Sequence, residues 1–172
     1  GAKPGAIARA GNVIGAGDVS HERLIPDLVR AIECGRPLEL RYPEATRPWQ
    51  HVLDCLGGYV AALKHASRNR HPVTYNFGPE IAGLEAVSSV AKLALDVAGA
   101  TIDLEVNPGA SMIEASFLVL DSSSARQTLG WSDHFDLPVA VADAVSLSSH
   151  GASEDVRQHI QATVERWTAH EA

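Results

Sequence analysis

The chain has 172 residues, 20% charged and 45% hydrophobic, with a formal charge of -7. That is enough for one domain that buries its own core without staples. An acidic balance, with a pI near 5.5, excludes nucleic acid as the main partner, because a phosphate backbone demands clustered Lys and Arg. No apolar run approaches membrane-spanning length, so no membrane partner is expected.

Cys34 and Cys55 are the only cysteines and do not form a C-x-x-C pair. They are expected as two buried, reduced thiols of a cytoplasmic protein. The chain does not begin with Met, and the residues after Gly1-Ala2-Lys3-Pro4-Gly5 read as the middle of a protein.

Residues 7–14 read as a short strand running into a loop punctuated by Gly15 and Gly17. Strand, glycine loop and helix start in that order mark the place where α/β proteins put ligands. Arg9 and Asn12 bring a charge and an amide to the strand end. The loop is read as one wall of a site for a phosphate-bearing substrate, beside the plainer reading that its glycines only make turns. Direct dinucleotide binding is not supported. The third glycine of G-x-G-x-x-G would fall at Ser20, and the helix starts too late.

Ile25, Leu28, Val29 and Ile32 recur at helical spacing, which predicts a helix over 26–34 with Pro26 in its first turn and Gly35 at its stop. Leu38-Glu39-Leu40-Arg41 alternates as a half-buried strand. Residues 42–46 are a loop. Arg47-Pro48-Trp49 comes next, either a phosphate-pairing arginine beside a rigid aromatic surface or a core Trp beside a solvated Arg.

Val52, Leu56, Tyr59, Val60 and Leu63 make the apolar stripe of a helix over 52–66. Tyr59 and Lys64 lie five apart, not the four that places a Tyr-Lys proton-transfer pair on one face, so Tyr59 is assigned to the core. Residues 71–79 read as a strand ending in a turn, with Asn76 at its end. Leu84, Val87, Ala91, Ala94, Leu95 and Ala98 mark a long helix closed by Gly99. Strands are expected at 102–106 and 114–120. Asp121 or Ser122 caps a short helix ended by Gly130, and Trp131 anchors that end. A helix over 138–147 is broken at 148–152, and Ser153 caps a last helix with Val156, Ile160, Val164 and Trp167 in one stripe.

Self-sufficient catalytic patterns are missing. The eight histidines show no H-x-H or H-E-x-x-H spacing, so no metal is expected. There is no G-x-S-x-G elbow and no P-loop.

Several stretches nonetheless share a family pattern. Arg9-Ala10-Gly11-Asn12-Val13-Ile14-Gly15-Ala16-Gly17-Asp18, Arg23-Leu24-Ile25-Pro26-Asp27 and Ala45-Thr46-Arg47-Pro48-Trp49-Gln50-His51-Val52-Leu53 closely resemble the CDP-glucose 4,6-dehydratases, a family within the extended short-chain dehydrogenase/reductases. Tyr75-Asn76-Phe77-Gly78-Pro79, Leu120-Asp121, Ala125-Arg126 and Leu129-Gly130-Trp131 keep the same order. Three positions depart: Ala16 for the middle glycine, Val19 for the Trp after Asp18, and Ile113 for the His before Glu114-Ala115.

The resemblance implies an α/β fold: the C-terminal, substrate-binding part of an extended short-chain dehydrogenase/reductase, with small sheets, helices and a late strand of the Rossmann sheet. The whole of 1–172 would be this sugar-nucleotide domain. The Rossmann half that carries NAD and the catalytic residues would precede it. The family's reaction oxidises the sugar at C4, eliminates water across C5 and C6, and returns the hydride to C6, a lyase activity of deoxysugar biosynthesis.

By position, Asn12 would donate to the diphosphate and Arg47 would pair with it or the ribose. Leu40 and Arg41 would lie along the base, Arg23 and Leu24 would close the loop over the nucleotide, and Glu114 would reach the ribose or base edge. The expected ligand is a nucleotide-sugar, CDP-glucose first. Another nucleotide-sugar epimerase or dehydratase is the second reading, and a non-catalytic binding module is the third. A homodimer would form through the N-terminal half. The whole reading requires Asn12 and Arg47 to face one hollow.

Overall fold

A computed structural model describes residues 5–107, 115–147 and 153–170. Its strands form four two-stranded sheets, three of them parallel, and six helices pack around them. The first strand reads differently from expectation. Instead of one run over 7–14, β1 (Ala6–Ala10) and β2 (Asn12–Ile14) are separated at Gly11. β1 pairs with β6 (Val73–Phe77), whereas β2 pairs with β5 (Trp49–His51). A single residue therefore switches the chain from one sheet to another. The cause is contact: a Cβ on Gly11 would sit 2.5 Å from both the ring and the carbonyl oxygen of Pro48.

Helix α1 (Leu24–Cys34) begins two residues before Pro26 and ends where Gly35 takes φ +58°. Strand β3 (Leu38–Leu40) pairs with β8 (Leu104–Val106), a shorter strand than the one expected over 102–106. Strand β4 (Thr46–Arg47) pairs antiparallel with β7 (Glu85–Ala86). Leu84 lies outside the helix assigned to it. A 3-10 turn at Ile81–Gly83 and β7 precede α3 (Val87–Ala98), because the backbone around Glu85 is used by β4. Residues 115–120 form no strand. Their one ladder contact is a bridge from Phe117 to Thr46.

Helix α2 (Val52–Asn69) is longer than expected, and its buried face is not the predicted stripe. Asp54, Cys55, Gly58, Ala62 and Ala66 face inward. Leu56, Val60 and Leu63 are 49%, 48% and 58% exposed. Small residues win this face because the aromatic sheet side chains come so close. A Cβ on Gly58 would lie 2.3 Å from the Phe77 ring. Tyr59 is partly buried on the same cluster.

Helix α4 (Ser123–Leu129) carries Ser122 at its N-cap position, but the capping side chain at this end is Asp121, which accepts from the Ser123 N–H at 2.9 Å. Helix α5 (Leu137–Ser146) starts one residue early, capped by Asp136, which accepts from the Val139 N–H. The expected break at 148–152 lies outside the described residues, and α6 (Ser153–Thr168) starts at Ser153. Its predicted apolar stripe is only half right: Ile160 is exposed, while Thr163 is buried.

Two apolar cores result. One joins α1, α3 and α5 around Ile14, Leu40 and Trp49; the other sets α2 and α4 against the β1–β6 sheet around Phe77 and Trp131. The thiol expectation is half corrected, since Cys55 is buried but Cys34 is exposed at the end of α1. No helix among the described residues is long and apolar enough to cross a membrane.

Candidate functional site

A cleft of about 580 Å³ opens at the carboxyl ends of β1 and β2. Its size falls within the usual range for small-molecule sites. Asn12, Arg23, Leu24, Leu40, Arg41 and Arg47 all line it. Six of the seven residues singled out in the sequence therefore meet in one hollow, including the two on which the reading hangs. The seventh, Glu114, lies outside the described residues.

The wall is built by neighbours far apart in sequence. Asn12 sits opposite Trp49 in the β2–β5 ladder, and its N–H donates to the Pro48 carbonyl at 3.0 Å. Pro48 thus ties the strand that carries Asn12 to the residue beside Arg47. Arg47 is only 4% exposed and donates from Nη1 to the Thr46 carbonyl at 2.9 Å. That bond helps to fix the guanidinium on the cleft wall. Trp49 takes the core role: it is buried, and its Nε1–H donates to the Glu85 carbonyl at 3.0 Å. Leu40 is buried among the core and lines the floor.

The lip is formed by the loop before α1. Gly17 requires its flexibility, with φ +79°. Asp18 accepts from Arg23 at 3.1 Å and from the Ser20 N–H at 3.0 Å. Burial pushes its carboxyl up, but those hydrogen bonds and the Arg23 charge outweigh it and hold it below the usual range. Arg30 straps the same loop through the Val19 and Ser20 carbonyls. Glu22, also on the cleft, holds φ +62°. Arg41 is exposed at the cleft edge and makes no hydrogen bond or ion pair among the described residues.

The loop does not form a dinucleotide cradle. Gly15 is a packing residue, since a Cβ there would lie 2.6 Å from Val52. The helix begins only at Leu24, and the Arg23 side chain makes no cap bond. Tyr59, which also lines the cleft, has its phenol pushed up to about 12 by its hydrogen bond with Cys55 and then by burial. The described residues do not fit NAD by themselves.

Sequence reading missed a buried polar centre behind the wall. Asp143 on α5 accepts at Oδ2 from the Ala16 N–H and His51 Nε2, each at 3.0 Å. At Oδ1 it accepts from His159 Nε2 at 2.7 Å and Thr163 Oγ1 at 2.9 Å. His51 Nδ1 accepts from the Leu53 N–H at the start of α2, so the proton sits on Nε2. Burial alone would raise the Asp143 carboxyl, but donors from His51, His159, Ala16 and Thr163 hold it far below the usual range. Ser146 Oγ also approaches His159 Nε2, at 3.3 Å. Serine and aspartate thus address the same nitrogen, which excludes a proton relay between them.

A profile of the NAD dependent epimerase/dehydratase family matches residues 2–78. Among solved structures, UDP-glucose-4-epimerase from Stenotrophomonas maltophila, with bound NAD and formylated UDP-arabinopyranose, superposes with a TM-score of 0.74 at 20% identity, covering 91% of this chain and 48% of that one. The fold is that of the NAD-dependent epimerases and dehydratases. The dTDP-glucose 4,6-dehydratase of Bacillus anthracis, in complex with NAD, shares this epimerase/dehydratase fold with a TM-score of 0.68 at 18% identity, covering 83% of this chain and 43% of that one. In sequence, the CDP-glucose 4,6-dehydratase of Salmonella typhimurium is 36% identical over 138 residues, which is 77% of this chain and 37% of that protein. The chain thus spans less than half the length of these epimerase/dehydratase relatives. The resemblance read from the motifs, and the α/β fold it implied, are both borne out.

Proposed function

We propose that this chain is the nucleotide-sugar-gripping part of an NAD-dependent 4,6-dehydratase whose substrate is CDP-glucose. The observation that carries the proposal is the convergence of Asn12, Arg23, Leu24, Leu40, Arg41 and Arg47 on one cleft. The sequence likeness to a CDP-glucose dehydratase favours cytidine as the nucleoside. Asn12 and the Arg47 guanidinium are assigned to the diphosphate, Leu40 and Arg41 to the base, and Arg23 and Leu24 to the lip above it. Their contribution to the reaction is binding and orientation. NAD, which supplies the hydride chemistry of such enzymes, is assigned to the preceding Rossmann half that the family resemblance implies. The bare apolar face of α2 at Leu56, Val60 and Leu63 is in keeping with a covering domain.

Calorimetric titration of CDP, UDP and dTDP into the chain tests the proposal, with CDP expected to bind tightest. Arg47→Ala weakens CDP binding by about 1.5–3 kcal/mol, the worth of a charge-assisted hydrogen bond. Unchanged affinity removes Arg47 from the site. A second expectation concerns turnover. Mixed with NAD and CDP-glucose, this chain alone forms no 4-keto-6-deoxy product, because its described residues build no cradle for the cofactor. Product formation would overturn that division of labour.

A further inference from the structure

We propose that Asp143 is a positioning residue through which the last helix sets the glycine loop of the cleft. Its carboxylate is buried, and its four acceptor sites are taken by four donors from three segments. Ala16 belongs to the loop between Gly15 and Gly17 that leads to the lip. His51 closes the strand that pairs with the one carrying Asn12, and it caps α2. His159 and Thr163 lie on α6, away from the cleft, whose wall they do not line. Ala144, the next residue on α5, does line it.

The geometry separates two tasks. Oδ2 faces the site side, where Ala16 and His51 hang from it; Oδ1 faces α6, where His159 and Thr163 hold it. A carboxylate is planar, so fixing Oδ1 from α6 fixes the direction of Oδ2 and with it the Ala16 amide. Removing one of the two donors on Oδ1 lets the group turn more easily, and the loop's anchor weakens although no cleft residue has changed. That the cleft takes a nucleotide rests on the proposed function above; the tie between α6 and Ala16 does not.

The test uses the ¹⁵N-labelled chain and two substitutions on α6. Thr163→Val removes one donor while keeping the shape, and Thr163→Ser keeps the hydroxyl. In the unsubstituted chain the Ala16 amide proton should resonate downfield and exchange slowly, as a donor to a carboxylate does. In Thr163→Val it moves upfield, its exchange speeds up about tenfold, and the CDP dissociation constant rises about fivefold. Thr163→Ser restores all three. A Thr163→Val chain that melts earlier yet keeps the Ala16 resonance and its exchange rate would reduce Thr163 to a structural residue and overturn the inference. If the unsubstituted chain binds no CDP, the nucleotide reading falls, and the Ala16 amide still decides for or against Asp143.

Discussion

Asp54→Ala is expected to cost about 3–5 kcal/mol of folding stability, a large share of the 5–15 kcal/mol typical of a whole domain. Asp54 is fully buried on the inner face of α2. Its carboxylate accepts from the backbone N–H groups of His134 and Phe135, at 3.0 and 3.2 Å, and from Trp167 Nε1 at 2.7 Å. These donors come from the segment before α5 and from the end of α6, so one side chain fastens two later parts of the chain to α2. Alanine would leave three donors without an acceptor. The thermal midpoint should fall by roughly 6–20 °C, taking about 2–4 °C per kcal/mol for a chain of this size. Asp54→Asn, which retains one acceptor oxygen, should lose about half as much. A midpoint shift below 2 °C in Asp54→Ala, read by circular dichroism, would show that water satisfies the stranded donors.

Gly11→Ala is expected to be the most damaging single methyl on the site side, at about 2–3 kcal/mol of stability, the range for overpacking. The added carbon would lie 2.5 Å from the carbonyl oxygen of Pro48, and a backbone atom cannot swing aside as a flexible side chain does. Relief requires β2 to part from β5, which carries Asn12 away from Arg47. CDP affinity should therefore drop more in Gly11→Ala than in Arg47→Ala, although Gly11 has no side chain to offer a ligand. Gly5→Ala is the control: nothing lies within 4 Å of a Cβ there, and its effect should stay within about 0.5 kcal/mol. Equal affinities in Gly11→Ala and the unsubstituted chain would mean that the joint between the sheets does not position the wall.

How much of this was legible beforehand depends on whether a feature is local. The helix after Pro26, the stop at Gly35, the Leu38–Leu40 strand and the anchoring role of Trp131 each carry their signal within a few residues, and the structure agrees with them. The cleft residues were legible from motif likeness: strand-loop-helix order marked only the loop around Asn12, while Arg23, Leu24, Leu40, Arg41 and Arg47 came from the family pattern. The failures share a different cause. Gly11 divides a strand because of Pro48. The face of α2 is chosen by Phe77, which rewards Gly58 over a larger residue. Leu56, Val60 and Leu63 have the right spacing, but spacing alone does not say which side the sheet lies on. Asp143 gave no signal, since its partners at Ala16, His51, His159 and Thr163 are scattered over the chain and its own helix reads as a plain Ala-Val stretch.

The pairing of the strands has a kinetic corollary. No ladder among the described residues joins neighbours in sequence; β1 waits for β6, β2 for β5, β3 for β8 and β4 for β7. Ladders of this kind offer no cheap first sheet contact, and each closure must draw in a long loop before it gains anything. As the protein emerges from the ribosome, α1 and α2 can coil at once, whereas β3 has no mate until Val106 has been made. Assembly of these sheets should therefore be slow and sensitive to crowding by other nascent copies. Refolding from denaturant at low concentration would recover more material than rapid dilution at high concentration.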